Sequence, residues 1–273
     1  MYLITGCNGQ LGTELQKLLP DSVLTDKADL DITDEQKVAD FIKNNNIDTI
    51  INCAAYTAVD KAEDDTELAH LINTKGPENL AKTGCKIIHV STDYVFDGLG
   101  HKPYLPTDAT YPVSVYGKTK LAGEQAVLQN AKEAIIIRTA WLYSAHGNNF
   151  VKTMRRLGNE KESINVVCDQ IGTPTFAGDL ARAIADILPQ ISQKNKGIYH
   201  YTNEGICSWY DFACEIMELS NLKCNVCPIP SSAYPTKATR PFYSVLDKST
   251  LKQTFNITIP HWKESLKKCL KQF

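Results

Sequence analysis

Tyr116 and Lys120 stand four residues apart in Tyr116-Gly117-Lys118-Thr119-Lys120. On a helix that spacing puts both side chains on one face. A free phenol, with a pKa of about 10, is a sluggish acid near neutrality. A nearby ammonium stabilises the phenolate and lowers that value. A tyrosine tuned this way can give a proton to a carbonyl oxygen while hydride reaches its carbon. Alone, the pair is equally an ordinary surface Tyr/Lys pair. Weight comes from a second cluster, Gly6-Cys7-Asn8-Gly9-Gln10-Leu11-Gly12, directly after the apolar run Tyr2-Leu3-Ile4-Thr5. Glycines there permit a tight turn and let backbone approach a pyrophosphate, and the following helix N-terminus favours negative charge. The plain alternative is a tight turn without a ligand. Together the two clusters predict a reductase that uses NADH or NADPH.

Other candidates fall where strands should end. Asp26 lies about 20 residues past the first glycine, where a carboxylate would hold ribose hydroxyls and favour NAD(H). Lys27 beside it leaves a 2′-phosphate, and so NADP(H), open. Asp31 and Ile32 could flank the adenine. Ala54, Ala55, Tyr56 and Thr57 could lie close to the cofactor, or simply pack a strand on a helix. In Ser91-Thr92-Asp93 alternation sends neighbours to opposite faces, and Thr92 is the hydroxyl expected to meet the substrate oxygen. Trp141 could wall a sugar ring or belong to the core. Lys118 reads as solvated. His89 reads as a satisfied buried histidine.

These residues need a scaffold that gathers strand ends. Strands are expected at Tyr2–Thr5, from Val23, and at 49–53, 86–91, 134–139 and 198–202. Helices are expected at 10–19, 34–45, 66–83, 115–128, 176–188, 209–219 and 261–270. Loops are expected at 97–112 and 228–241. Alternating β and α units imply a Rossmann-like, doubly wound parallel sheet in an α/β fold, with ligands at the C-terminal strand ends. Residues 1–147 read as a dinucleotide-binding domain. Residues 148–273 read as mainly a substrate-binding lobe, with some segments returning to the sheet.

Bulk composition narrows the partners. The chain has 273 residues, 43 % hydrophobic and 22 % charged, with net charge −2; neither nucleic acid nor membrane is indicated. The start lacks the features of a signal peptide, so a cytoplasmic enzyme is expected. Nine cysteines include one close pair, Cys224-x-x-Cys227. A zinc site needs about four ligands, so the thiols read as free and no metal site is expected.

The chain resembles, end to end, the extended short-chain dehydrogenase/reductase superfamily, and within it the dTDP-4-dehydrorhamnose reductase family. The likeness rests on Gly6–Gly12, the Asn52–Glu63 stretch, Ser91-Thr92-Asp93-Tyr94-Val95-Phe96, Val115–Glu124, Arg138–Trp141, Gly147–Phe150, Asp169–Thr175, Ser232–Thr236 and Arg240-Pro241. It implies a catalytic trio of Thr92, Tyr116 and Lys120. It implies cofactor contacts from Gly6, Asn8, Gly9, Gln10, Leu11, Gly12, Asp26, Asp31, Ile32, Ala54, Ala55, Tyr56 and Thr57, besides Tyr116 and Lys120. It implies contacts from Thr92, Asp93, Trp141, Asn149 and Arg240 to a small-molecule nucleotide sugar, Arg240 at the diphosphate. The implied reaction reduces the C4 ketone of dTDP-4-dehydro-L-rhamnose. Some members dimerise through metal-bridging carboxylates, but here the end is Lys267–Phe273 without an acid, and Gly178 stands where a carboxylate is expected, although Glu14 remains. A monomer is therefore favoured. Phe242-Tyr243-Ser244 also departs from the family pattern. Rival expectations are another 4-keto-6-deoxy sugar-nucleotide reductase, a dehydratase or epimerase of the same fold, and a non-catalytic regulatory subunit.

Overall fold

Residues next to each other in a strand point to opposite faces of a sheet, and the central strands carry apolar side chains at both. The computed structural model describes residues 1–273. Leu3, Ile50, Ile87 and Ile136 pack on one face with Val38, Ile42 and Val127. Ile4, Ile51, Ile88 and Ile135 pack on the other with Leu15, Leu180 and Ile184. Such strands must be covered on both sides, which is why they read as continuous apolar runs.

Six parallel strands form the sheet, in the spatial order Gly197–His200, Ala134–Thr139, Lys86–Thr92, Thr49–Asn52, Tyr2–Thr5, Val23–Thr25. The first strand pairs with the second on one side and the third on the other. That reversal is a topological switch point, where the crevice beyond the strand ends takes ligands.

The long helix expected over 66–83 is present but interrupted. Thr66–His70 and Gly76–Lys82 are α-helical, and Leu71–Lys75 between them is a π-helical turn. Such turns are frequent at functional sites, and Leu71 and Ile72 line the main cavity.

After residue 148 the chain builds a second apolar cluster and also rejoins the sheet. Tyr143, Val151, Met154, Phe212 and Trp262 share that cluster. Helix Phe150–Glu160 and strand Ser163–Val167 form there, the strand running parallel to Asn225–Ile229. Neither was expected from sequence, and the loop expected from residue 228 begins two residues later. Helix Ser249–Phe255 was also missed. Meanwhile Gly197–His200 pairs with Ala134–Thr139, and Leu180 and Ile184 of helix Ala177–Ile187 pack against Leu11 and Leu15 of the first helix. No helix is long and apolar enough to cross a membrane.

Candidate active site

The loop after the first strand is shaped by what its glycines lack. Gly6 has φ +63°, and a Cβ there would lie 2.8 Å from the Ala54 nitrogen. A Cβ on Gly12 would lie 2.4 Å from the Gly6 carbonyl oxygen, so only glycine lets the helix seat on the loop. Gly9 caps helix Gln10–Leu18 without a side-chain hydrogen bond, and the first turn holds no acid. Amide groups there remain available to an anion.

Over this loop opens a cavity of about 800 Å³, within the range of small-molecule sites. Asp26, Asp31 and Ile32 line it, with Ala54, Ala55 and Thr57 on another wall. Gln10, Leu11, Tyr116 and Lys120 also face it, as do Thr92, Asp93 and Trp141. Asp26 accepts from the Asn8 amide at 3.2 Å and the Lys27 amide at 2.7 Å. Asp31 is held below the usual carboxylate range by the hydroxyl and amide of Thr33. The glycine cradle, free helix end and carboxylate rim fit a dinucleotide.

The Tyr/Lys helix, Val115–Asn130, starts at Ser114, whose hydroxyl accepts from the Gly117 amide at 3.1 Å. Two glycines bring it close to its neighbours. A Cβ on Gly117 would lie 2.2 Å from the Tyr94 carbonyl oxygen, and one on Gly123 2.1 Å from that of Asn73. Its middle is tied down by Glu124, which takes a two-pronged ion pair from Arg138 and a hydrogen bond from Ser91. Ser91 lines the cavity too, but its hydroxyl is engaged by Glu124. Thr92 Oγ1 donates to Asp93 at 2.9 Å and accepts from the Tyr94 amide at 3.2 Å.

Burial dominates the electrostatics. It raises the Tyr116 phenol above its ordinary value, with Thr92 pulling the other way and Asp93 and Tyr94 adding to the rise. The net depression expected from Lys120 is not found, since burial outweighs the other influences on the phenol; Lys120 Nζ donates to the Val90 carbonyl at 2.7 Å. Lys120 itself is lowered to about 8 by burial, against the pull of Glu124. Burial pushes Asp93 up to about 7, against the hydrogen bond from Thr92. Its Oδ2 is buried and forms no well-aligned hydrogen bond, although the Ser244 hydroxyl also favours the charged carboxylate.

A second cavity of about 620 Å³ adjoins the first. Tyr94 and Trp141 line both. Trp141 has φ +50°, rare for a non-glycine residue, and its ring stacks on Trp209 with centroids 3.6 Å apart and planes at 11°. Arg240 reaches the same place, pairing with Asp60 and donating to the Tyr94 hydroxyl at 3.0 Å. Phe150 and Met154 supply apolar wall.

The family model described as RmlD substrate binding domain matches residues 1–273. The chain belongs to that family. It is 42% identical to a dTDP-4-dehydrorhamnose reductase of Aggregatibacter actinomycetemcomitans, over 97% of this chain and 96% of that one. The solved dTDP-4-dehydrorhamnose reductase of Clostridium acetobutylicum aligns with TM-score 0.95 and 46% identity, covering 99% of this chain and 98% of that one. That of Bacillus anthracis, solved in complex with NADP, aligns with TM-score 0.95 and 41% identity, covering 100% and 99%.

In this RmlD-family chain three expected site residues are absent from the walls of both cavities. The Tyr56 side chain turns to Asp65, its hydroxyl donating at 2.7 Å, while Asn73 holds its backbone. Asn8 contributes an amide to Asp26 and forms no part of the cavity wall. Asn149 caps helix Phe150–Glu160, accepting from the Lys152 amide at 3.1 Å and donating to Gln10 and Ser144. With both ends of its amide engaged, it lines neither cavity. Sequence reading missed Asp60, Trp209 and Asn73. Asp60 falls inside the Asn52–Glu63 stretch that carries the family likeness, whereas Trp209 and Asn73 left no signal.

Proposed function

We propose that this chain reduces the C4 ketone of dTDP-4-dehydro-L-rhamnose to dTDP-L-rhamnose with NADH or NADPH. One observation carries the reading: the glycine cradle and Thr92, Tyr116 and Lys120 face one cavity, which continues past Trp141 to Arg240. The names of the relatives support it, as does the NADP complex of the Bacillus anthracis protein.

The dinucleotide, held by Gly6, Gly9, Gly12 and the rim carboxylates, supplies hydride when bound. Tyr116 gives a proton to the substrate oxygen, and the Thr92 hydroxyl holds that oxygen. A sugar hydroxyl donating to Asp93 Oδ2 would satisfy an otherwise orphaned buried acceptor. Arg240, a planar donor suited to phosphate oxygens, meets the diphosphate, and the second cavity takes the base. Residues 148–273 thus supply mainly the nucleotide-sugar wall, and the chain acts as a monomer in the cytoplasm. A dehydratase would need an acid after Asp93, where this chain has Tyr94.

The test is oxidation of NADH and NADPH by the pure protein with dTDP-4-dehydro-L-rhamnose made in situ. Sugar-dependent oxidation is the expected result. Cofactor binding without oxidation would shift the reading to another sugar nucleotide or to a regulatory role.

A further inference from the structure

Behind Lys120 lies a buried hydrogen-bond chain whose donor order can be read outright. The Asn52 side-chain oxygen accepts from the Ala54 backbone amide at 3.1 Å and from the Thr5 hydroxyl at 2.7 Å. A backbone amide only donates, so this atom is the oxygen and the other is the NH₂. The NH₂ lies 3.0 Å from His89 Nδ1, which must therefore be the bare, accepting nitrogen. A neutral imidazole with a bare Nδ1 carries its proton on Nε2. His89 Nε2 lies 3.5 Å from Lys120 Nζ. His89 and Asn52 are fully buried and Lys120 nearly so, so no bulk water relieves a mismatch.

Two donors therefore face each other when Lys120 is an ammonium. When it is a neutral amine, its lone pair can accept from Nε2–H. We propose that His89, locked by Asn52 as the Nε2–H tautomer, is a positioning residue that favours the neutral amine of Lys120 and so makes this lysine a proton carrier rather than a fixed cation. The inference rests on the reductase reading above for its purpose, though not for its geometry. During reduction Tyr116 gives a proton to the substrate oxygen, the Lys120 ammonium gives one to the phenolate, and the neutral amine left behind accepts from His89 Nε2–H until solvent, reaching it through the open cavity, returns its proton.

The other groups around Lys120 do not replace His89 in this role. The Val90 carbonyl, 2.7 Å from Nζ, accepts a hydrogen bond from the amine and the ammonium alike. Cys53 acts on it from the loop after the third strand, and Glu124 from its own helix, where Tyr116 stands one turn earlier. Glu124 is already neutralised by Arg138. Burial and the Lys120 charge both hold His89 well below its ordinary value, which agrees with a neutral ring.

The first test uses ¹⁵N-histidine NMR on the full chain at neutral pH. The expected spectrum assigns His89, by loss of its signals in His89→Gln, as the neutral Nε2–H form. An Nδ1–H form or an imidazolium would overturn the proposal. The second follows the ¹³Cε resonance of Lys120 with pH, assigned with Lys120→Arg. Asn52→Asp should turn the ring over, because a carboxylate accepts from Nδ1–H, and should raise the Lys120 titration by at least about one pH unit more than the same carboxylate does in Asn52→Asp/His89→Phe, where its charge acts without the ring. His89→Gln can keep the donor order, its oxygen facing Asn52 and its NH₂ facing Lys120, and should leave that titration close to wild type. A Lys120 titration raised no further in Asn52→Asp than in that double variant would overturn the proposal. Both readouts are independent of turnover, so the expected spectra without sugar-dependent oxidation would uphold the His89 assignment and sink the dTDP-4-dehydro-L-rhamnose reading.

Discussion

Arg138 and Glu124 form a fully buried, two-pronged ion pair, with Nη2 to Oε2 at 2.7 Å and Nε to Oε1 at 2.9 Å. It joins the Tyr/Lys helix to the strand that precedes Trp141. Glu124→Ala leaves the guanidinium buried and uncompensated, a loss of about 3–5 kcal/mol. Urea unfolding followed by circular dichroism should show it. A loss below about 1 kcal/mol would mean that the pair carries no more than a surface ion pair does.

Tyr116→Phe should lower turnover at least about 100-fold, as loss of a general acid requires, with cofactor affinity little changed. The two are separated by steady-state kinetics and cofactor titration. Near-normal turnover would remove Tyr116 from the chemistry.

Asp26 lines the cavity at the end of the second strand. Asp26→Ala should weaken NADH more than NADPH, because the carboxylate holds ribose hydroxyls but repels a 2′-phosphate. Binding constants for both cofactors decide the matter. Equal losses would leave Asp26 with only its hydrogen bonds to the Asn8 and Lys27 amides.

Arg240→Ala should raise KM for the nucleotide sugar by roughly 10- to 100-fold, the equivalent of a charged hydrogen bond, with a smaller change in kcat. The reverse pattern, a fall in kcat at constant KM, would place Arg240 at the reacting centre instead of the diphosphate.

Asp93 holds its proton more tightly in the folded chain, at about 7, than an unfolded aspartate does at about 4. Its contribution to stability is therefore complete below about pH 4 and is lost as pH rises toward 7, at up to roughly 1.4 kcal/mol per pH unit. Asp93→Asn removes this slope. Unfolding measured at several pH values should find wild type losing stability relative to the variant across that window. Parallel curves would show that Asp93 titrates normally.

The features legible in the sequence are those with a local period or a local steric demand. Alternating apolar residues set the parallel strands, since neighbours along a strand face opposite layers. Three glycines marked the turn because a Cβ would collide within a few residues or at the next strand end. Tyr116 and Lys120 share a face because four residues make about one turn.

What the tertiary structure decided are relations between distant segments, for which one side chain offers several equal partners. Asn149 could have met a substrate; Gln10, 139 residues away in the chain, takes its amide. Tyr56 reads the same in sequence whether it faces the cofactor or Asp65. His89 in a buried strand says nothing of Lys120 until the helix, brought close by Gly123, sets Nζ beside it. Hydrogen bonds are short-ranged and directional. Residue type states what a group can do, and packing alone selects the partner with which it does it.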